Sequence, residues 1–205
     1  MDNLFVIEGQ AGSGKTPLIK LMKFILEKEG FNVYVCCPFT FANEYIIKNN
    51  MVNEFPLGVY TCWNKSKESA LFAEKLILNH ILEFIQLNKK SKKDIILFDR
   101  YWLTMCMSIR DSCFENKSEK ISKYLNKKIS TFFLDTHQKI TQSRQSWDER
   151  LPWTNENIDY DFETRRNYIN SYSNLLGRDL VEMERVDLEK IAKKWSEIII
   201  SKINY

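Results

Sequence analysis

Histidine is nearly missing from this chain: its 205 residues hold two, His80 and His137. They stand far apart, and each reads as a packing or surface residue, so nucleophilic chemistry of the Ser-His-Asp kind is excluded as an expectation. Cysteine is present, but without pattern. Cys36, Cys37, Cys62, Cys106 and Cys113 make an odd count with no C-x-x-C pair, which argues against a disulfide framework and against a zinc site. Cys36 and Cys37 are neighbours in an expected strand, so their side chains point to opposite faces. All five read as reduced thiols. Long apolar runs are missing too. None approaches the roughly 20 residues that cross a bilayer, and the Met1-Asp2-Asn3 start lacks the basic region of a signal peptide. A cytoplasmic protein with no membrane partner is the expectation. No single charge dominates: Lys+Arg 30 against Asp+Glu 27 leaves +3, which gives no reason to expect a nucleic-acid partner. The run Lys89, Lys90, Lys92 and Lys93 reads as a solvated connection. Internal repeats and low-complexity linkers are absent, and the length suits one domain, residues 1–205, with a sizeable core.

What is there begins at Val6-Ile7-Glu8-Gly9-Gln10-Ala11-Gly12-Ser13-Gly14-Lys15-Thr16. Gly9, Gly14, Lys15 and Thr16 complete the G-x-x-x-x-G-K-[ST] pattern. Its glycines let backbone N–H groups close around a polyphosphate, its lysine reaches the β- and γ-phosphates, and its threonine offers a hydroxyl to Mg²⁺. Gly9, Gln10, Ala11, Gly12, Ser13, Gly14, Lys15 and Thr16 are therefore the candidate ATP cradle. The context is the one the motif requires. Leu4 to Ile7 is a short apolar run, as in a strand buried on both faces. Leu18, Leu21, Met22, Ile25 and Leu26 then fall on one helical face, with Lys20, Lys23, Glu27 and Lys28 on the other. Gly30 stands where such a helix ends. Pro17 is tolerable in a first turn, which needs no intrahelical N–H there.

Further on, strand and helix alternate. Asn32–Cys37, Asp94–Phe98 and Thr131–Leu134 read as strands, and Leu180–Met183 as a weaker fifth. Glu68–Leu87 reads as a long helix, apolar on more than one face and so well buried. Leu188–Ile203 reads as a closing helix, with Ile191, Trp195, Ile198, Ile199 and Ile203 at helical spacing. Repeated βα units with apolar strands predict an α/β fold: a five-stranded parallel sheet with helices on both faces.

The third strand ends Phe98-Asp99-Arg100-Tyr101. An acid at that place suits a second ligand, beside Thr16, for Mg²⁺. Asp99 could instead cap a helix starting near Trp102. The Arg100 guanidinium can hold two phosphate oxygens at once, and Tyr101 beside it is a candidate substrate contact. Phe39, Phe41, Tyr45, Tyr60, Trp63 and Trp102 could stack a base or fill the core.

On these residues the chain resembles the thymidylate kinase-like group of P-loop kinases. Glu8-Gly9 with Gly14-Lys15-Thr16, then Asp99-Arg100-Tyr101, carry the likeness. Phe133-Leu134-Asp135 resembles the strand before that family's lid, Arg144 stands at the spacing of its first lid arginine, and Asp161-Phe162 with Arg165, Arg166 and Tyr168 resembles the helix after it. The resemblance implies the three-layer P-loop NTPase fold with a small lid near residues 142–157, which also hold Arg150, Trp147 and Trp153. It implies transfer of the γ-phosphoryl group of ATP, with Mg²⁺, to a small nucleoside or nucleotide acceptor. Lys15, Arg100 and Arg144 would be the catalytic residues. A homodimer is an expectation of the resemblance alone.

The departures fall on the acceptor side. Ala11 stands where thymidylate kinases carry an Asp. Pro38-Phe39-Thr40-Phe41 replaces their Arg and Pro-Gly-Gly run, and Lys75 is out of register with their substrate arginine. The sibling deoxynucleoside kinases end the third strand in Glu-Arg-Ser and carry a catalytic Glu after the second strand; Glu44 is the nearest acid here, in a different context. Two other readings therefore stay open: a P-loop kinase of a non-nucleotide small molecule, and a catalytically silent ATP-binding regulatory module. No residue specifies adenine, which leaves GTP open as donor. A GTPase should show D-x-x-G and N-K-x-D, and Asn64-Lys65-Ser66-Lys67 fails the latter at its last position. The Ser-Gly-Gly signature of ABC ATPases is absent from the sequence.

Overall fold

The computed structural model describes residues 3–9, 12–56, 58, 59, 62, 65–101, 104, 105, 130–135, 181–184 and 187–203. The elements in chain order are β1 (Leu4–Gly9), α1 (Lys15–Lys28), β2 (Asn32–Cys36), α2 (Pro38–Lys48), α3 (Lys67–Asn88), β3 (Asp94–Asp99), β4 (Ser130–Asp135), β5 (Val181–Glu184) and α4 (Leu188–Ile203). The strands form one sheet in the order β2-β3-β1-β4-β5, and every pairing is parallel. The chain first builds one side of β1 and then switches to the other. Such a switch leaves a crevice at the C-terminal strand ends, and the glycine loop lies there.

Every residue of β1 is buried, as its unbroken apolar run predicts for a strand covered on both faces. Successive side chains alternate between two cores. Leu4 and Val6 join Ile96, Phe98 and Phe133 under Phe39, Ala42 and Ile46 of α2 and Ala70, Ala73, Ile77 and Ile81 of α3. Phe5 and Ile7 join Ile95, Leu97, Phe132 and Leu134 under Leu18, Met22 and Leu26 of α1 and Ile191, Trp195 and Ile199 of α4. Helix, sheet and helix make three layers.

α1 stops where Gly30 was expected to stop it. Gly30 takes φ +86°; its N–H donates to Glu27 O and the Phe31 N–H to Leu26 O, the two bonds of a Schellman ending. α3 starts on Ser66, whose side chain accepts the Ser69 N–H at 3.1 Å, an N-cap of ordinary kind. It is less buried than its apolar pattern suggested. Leu71, Leu82 and Leu87 are exposed while Glu74 is buried, because only one face of α3 meets the sheet. α2 was not read as a helix in the sequence. Pro38 occupies its first turn, where a missing N–H costs nothing.

The lysine run is a connection at the far end of the sheet. The Asp94 carboxylate accepts the Asn32 side-chain amide at 2.8 Å and the Lys90 backbone N–H at 2.8 Å, and these bonds hold its pKa at about 2. The Lys89 amine donates to the carbonyls of Ser91 and Asp94. His80 packs as expected: its ring stacks on Phe41 at 3.7 Å, and burial lowers its pKa. Cys36, Cys37 and Cys62 are free thiols. Burial pushes Cys36 up to about 12 and Cys62 up to about 11, so both stay protonated and inert at neutral pH. Cys106, Cys113 and His137 lie outside the described residues.

No helix among the described residues is long and apolar enough to cross a membrane.

Candidate functional site: a phosphate cradle and the strand end beside it

The cradle starts from a backbone demand. Gly9 has φ +150°, and a Cβ there would lie 2.7 Å from the Leu134 carbonyl oxygen and 3.0 Å from Ser13 Oγ. Only glycine lets β1 turn away so close to β4. Gly12 and Gly14 also have positive φ, at +76° and +99°. Gly14 then opens α1, and its carbonyl accepts the Leu18 N–H at 3.1 Å. The start of α1 thus faces the loop, and its dipole favours an anion there. No acidic residue in the first turn opposes this. Lys15 is buried at 5% exposure, with its amine 3.3 Å from Ser13 Oγ. Gln10 and Ala11 lie outside the described residues.

Thr16 and Asp99 meet across 83 positions of sequence. The Thr16 hydroxyl donates to Asp99 Oδ2 at 3.1 Å. Parallel pairing of β1 with β3 sets Ile7 opposite Asp99, which carries the carboxylate to the level of the loop. A hydroxyl and a carboxylate oxygen side by side next to a phosphate cradle fit Mg²⁺, which takes oxygen ligands and keeps the rest of its shell for water and phosphate. Cys37, between β2 and α2, feels the same carboxylate: burial first, and then the Asp99 charge, raise its thiol pKa.

Glu8 holds this arrangement. It is the one charged residue of β1 and is fully buried. Its Oε1 accepts the N–H of Tyr101 at 2.8 Å and of Thr104 at 3.3 Å, and its Oε2 accepts the Thr104 hydroxyl at 2.8 Å. A buried carboxylate is tolerable when such donors replace its water. Arg100 sits between the anchors. It takes φ +68°, uncommon for a residue with a Cβ, and its N–H donates to the Ile7 carbonyl at 3.1 Å. β1 therefore sets the backbone of the segment that presents Asp99 and Arg100.

One open cavity of about 540 Å³ joins these parts. It is lined by Gly12, Gly14, Lys15, Thr16 and Pro17 of the loop and α1, by Asp99 and Arg100, by Phe39, Thr40 and Asn43 of α2, and by Leu188. The expected residues Lys15, Thr16, Asp99 and Arg100 thus share one space. Tyr101 does not join them in lining it. The chain turns at Arg100 and carries Tyr101 into the core, 6% exposed and 5.7 Å from the Phe98 ring. Arg144, Arg150 and the lid segment near 142–157 lie outside the described residues, as do Tyr60, Trp63 and Trp102.

Three contributors were not singled out for a role from the sequence. Glu8 carried one available signal, a lone charge inside an apolar strand. Asn43 and Leu188 carried none, since a polar residue on an unrecognised helix and a leucine at a helix start are both commonplace.

No protein-family model matches the sequence, and no curated protein does. Solved structures share its shape. The chain is similar to thymidylate kinase from Candida albicans at TM-score 0.62 and 17% identity, over 99% of this chain and 93% of that one. It is similar to the YorR protein of Bacillus subtilis, solved in complex with phosphorylated GDP, at TM-score 0.58 and 14% identity, over 98% of each chain. It is similar to shikimate kinase from Acinetobacter baumannii, solved in complex with shikimate, at TM-score 0.50 and 13% identity, over 97% and 93%. With its parallel sheet, glycine loop and covering helices, the chain has the fold of the P-loop kinases.

Proposed function

We propose that this protein is an ATP-dependent phosphotransferase that moves the γ-phosphoryl group to a nucleoside or nucleotide acceptor, most like a thymidylate kinase. The observation that carries the reading is the shared cavity: the phosphate loop, Asp99, Arg100 and the first turns of α2 line one space. A switch module needs only a nucleotide cradle, whereas a phosphotransferase needs room for an acceptor in line with it. Phosphoryl transfer asks for positioning and positive charge rather than covalent help from the protein. Lys15 and the loop N–H groups would hold the donor phosphates. Thr16 and Asp99 would hold Mg²⁺, which when bound neutralises charge on the phosphates. Arg100 would hold the acceptor near the loop. Arg144 would close from the lid, and an arginine in that role contributes about 10³–10⁵ in rate. The solved structures of similar fold are named as kinases of thymidylate and of shikimate, and one holds phosphorylated GDP, which supports a small-molecule acceptor.

ADP release measured with ATP and Mg²⁺ across nucleosides, nucleoside monophosphates and small alcohols tests the reading. The expected result is turnover with a nucleoside or nucleotide that falls at least about 100-fold in Lys15→Ala, as for loss of a charge-stabilising group. ATP binding without turnover on any acceptor would overturn it in favour of a regulatory module.

A further inference from the structure

The donor half of the cavity has charges for the phosphates. Its other wall is α2, where Phe39, Thr40 and Asn43 stand within one turn of each other. Phe39 is largely packed in the core, which leaves Asn43 as the amide-bearing residue on that wall.

The orientation of this amide is fixed by chemistry. Its Oδ1 accepts the Val59 backbone N–H at 3.0 Å. An N–H can donate only to the carbonyl end of an amide, so the side chain cannot be turned over without losing that bond. The neighbouring residue enforces the approach. Gly58 takes φ +61°, and a Cβ there would lie 2.2 Å from Asn43 Oδ1 and 2.8 Å from its Cγ. The Gly58 N–H donates to Phe55 O at 2.9 Å, which folds the loop back against α2. With Oδ1 committed to the Val59 N–H, the two Nδ2 hydrogens have no partner among the described residues, and the side chain is half-buried on the cavity wall. Two N–H donors held at one place on the cavity wall suit a carbonyl oxygen or a bare ring nitrogen of a planar heterocycle.

We infer that Asn43 is a specificity-determining residue for the acceptor, its carbonyl locked by Val59 and Gly58 so that its amide N–H groups read a hydrogen-bond acceptor on the acceptor's base. This rests on the acceptor lying in the shared cavity, as the proposed function has it. It assigns Asn43 to the neutral part of the ligand and leaves phosphate to Lys15 and Arg100.

Asn43→Asp separates the two ends of the amide. Aspartate still accepts the Val59 N–H, but it presents oxygen where the donors were. Calorimetric binding is measured with saturating ADP and Mg²⁺, so that the donor half is filled. The probes are the 5′-monophosphates of thymidine, guanosine, cytidine and adenosine, with ribose 5-phosphate as a probe lacking a base. At least one base-bearing probe should bind the wild type more tightly than ribose 5-phosphate and lose about 10- to 100-fold in Asn43→Asp. Ribose 5-phosphate should bind both proteins alike, and the melting temperature should hold. Gly58→Ala, which displaces the amide without altering its chemistry, should lose affinity for the same probe. Equal binding of that probe to wild type and Asn43→Asp, or no preference for any base over ribose 5-phosphate, overturns the inference. If no acceptor releases ADP but base-dependent binding still needs Asn43, phosphotransfer falls and this inference stands. If turnover is found with an acceptor KM unchanged in Asn43→Asp, the reverse holds.

Discussion

The two sides of the cavity, the proposed donor side at the loop and the proposed acceptor side at α2, are built by different means. On the donor side, a buried carboxylate bonded to Tyr101 and Thr104 and a glycine pressed against β4 fix the loop and the end of β3. On the acceptor side, Phe39, Ala42 and Ile46 seat α2 in the core, Asn43 accepts a hydrogen bond from the Val59 N–H, and His80 stacks on Phe41. The sheet itself carries the donor side, since β1, β3 and β4 are adjacent strands. The acceptor side is carried by α2 and the turn at Gly58 rather than by the sheet. A phosphate group is the same in every nucleotide, so its cradle can be rigid and its sequence pattern recognisable. An acceptor differs from enzyme to enzyme, and the residues that meet it follow no shared spacing.

Breaking the donor side at its anchor should have the largest effect. Glu8→Ala leaves the N–H groups of Tyr101 and Thr104 and the Thr104 hydroxyl without their acceptor. At about 1–3 kcal/mol for each orphaned buried group, the cost is at least about 3 kcal/mol, or roughly 6–12 °C in Tm for a chain of this size. Thermal melts should show this drop. Glu8→Gln, which keeps one carbonyl acceptor, should recover most of it. Equal melts for Ala and wild type would remove the contrast between the two sides.

A change far from both sides sharpens the comparison. Asp94→Asn removes a carboxylate whose pKa is held at about 2 by the Asn32 amide and two backbone N–H groups. Its contribution is full above the unfolded value near 3.8 and disappears as pH falls toward 2. The variant should melt a few degrees below wild type at pH 7, with the gap closing between about pH 4 and pH 2. Its ATP affinity should be unchanged, because Asp94 opens β3 at the end opposite Asp99.

The smallest effect belongs to the acceptor side. Burial lowers the pKa of His80 while nearby Glu83 opposes the shift. The unfolded chain therefore takes up a proton at higher pH than the folded one, and the stability tied to neutral His80 is full above about pH 6.5 and lost as pH falls below it. Wild type should lose a little stability between pH 7 and pH 5.5, and His80→Phe should lose less across that interval, as pH-dependent melts would show.

The fold was largely legible in the sequence because β1, β3 and β4 are short unbroken apolar runs and the closing helix has strong apolar periodicity. The strand ends moved by a residue or so; Asp99, for example, is still part of β3. The turn of the glycine loop was legible because its glycines answer a backbone demand, a positive φ at Gly9, Gly12 and Gly14. The anchor at Glu8 was not, since its partners lie more than 90 positions away and charge in a strand does not announce its donors. The position of Tyr101 in the core was not legible for a related reason. Adjacency to Arg100 suggested a shared direction, but the backbone reverses at Arg100 and turns the ring into the core. α2 was missed because Pro38-Phe39-Thr40-Phe41 carries no helical pattern of its own, and the Asn43–Gly58 contact is set by steric fit between segments 15 positions apart.

In the proposed function, Thr16 and Asp99 make the loop a cradle for a magnesium nucleotide. ATP affinity measured with and without Mg²⁺, in wild type and Asp99→Asn, tests it directly. Mg²⁺ should tighten ATP binding by wild type at least about 10-fold, the scale of one charged hydrogen-bonded contact, and should do little for Asp99→Asn, while both proteins bind ATP similarly without metal. The same dependence on Mg²⁺ in both proteins would contradict the account.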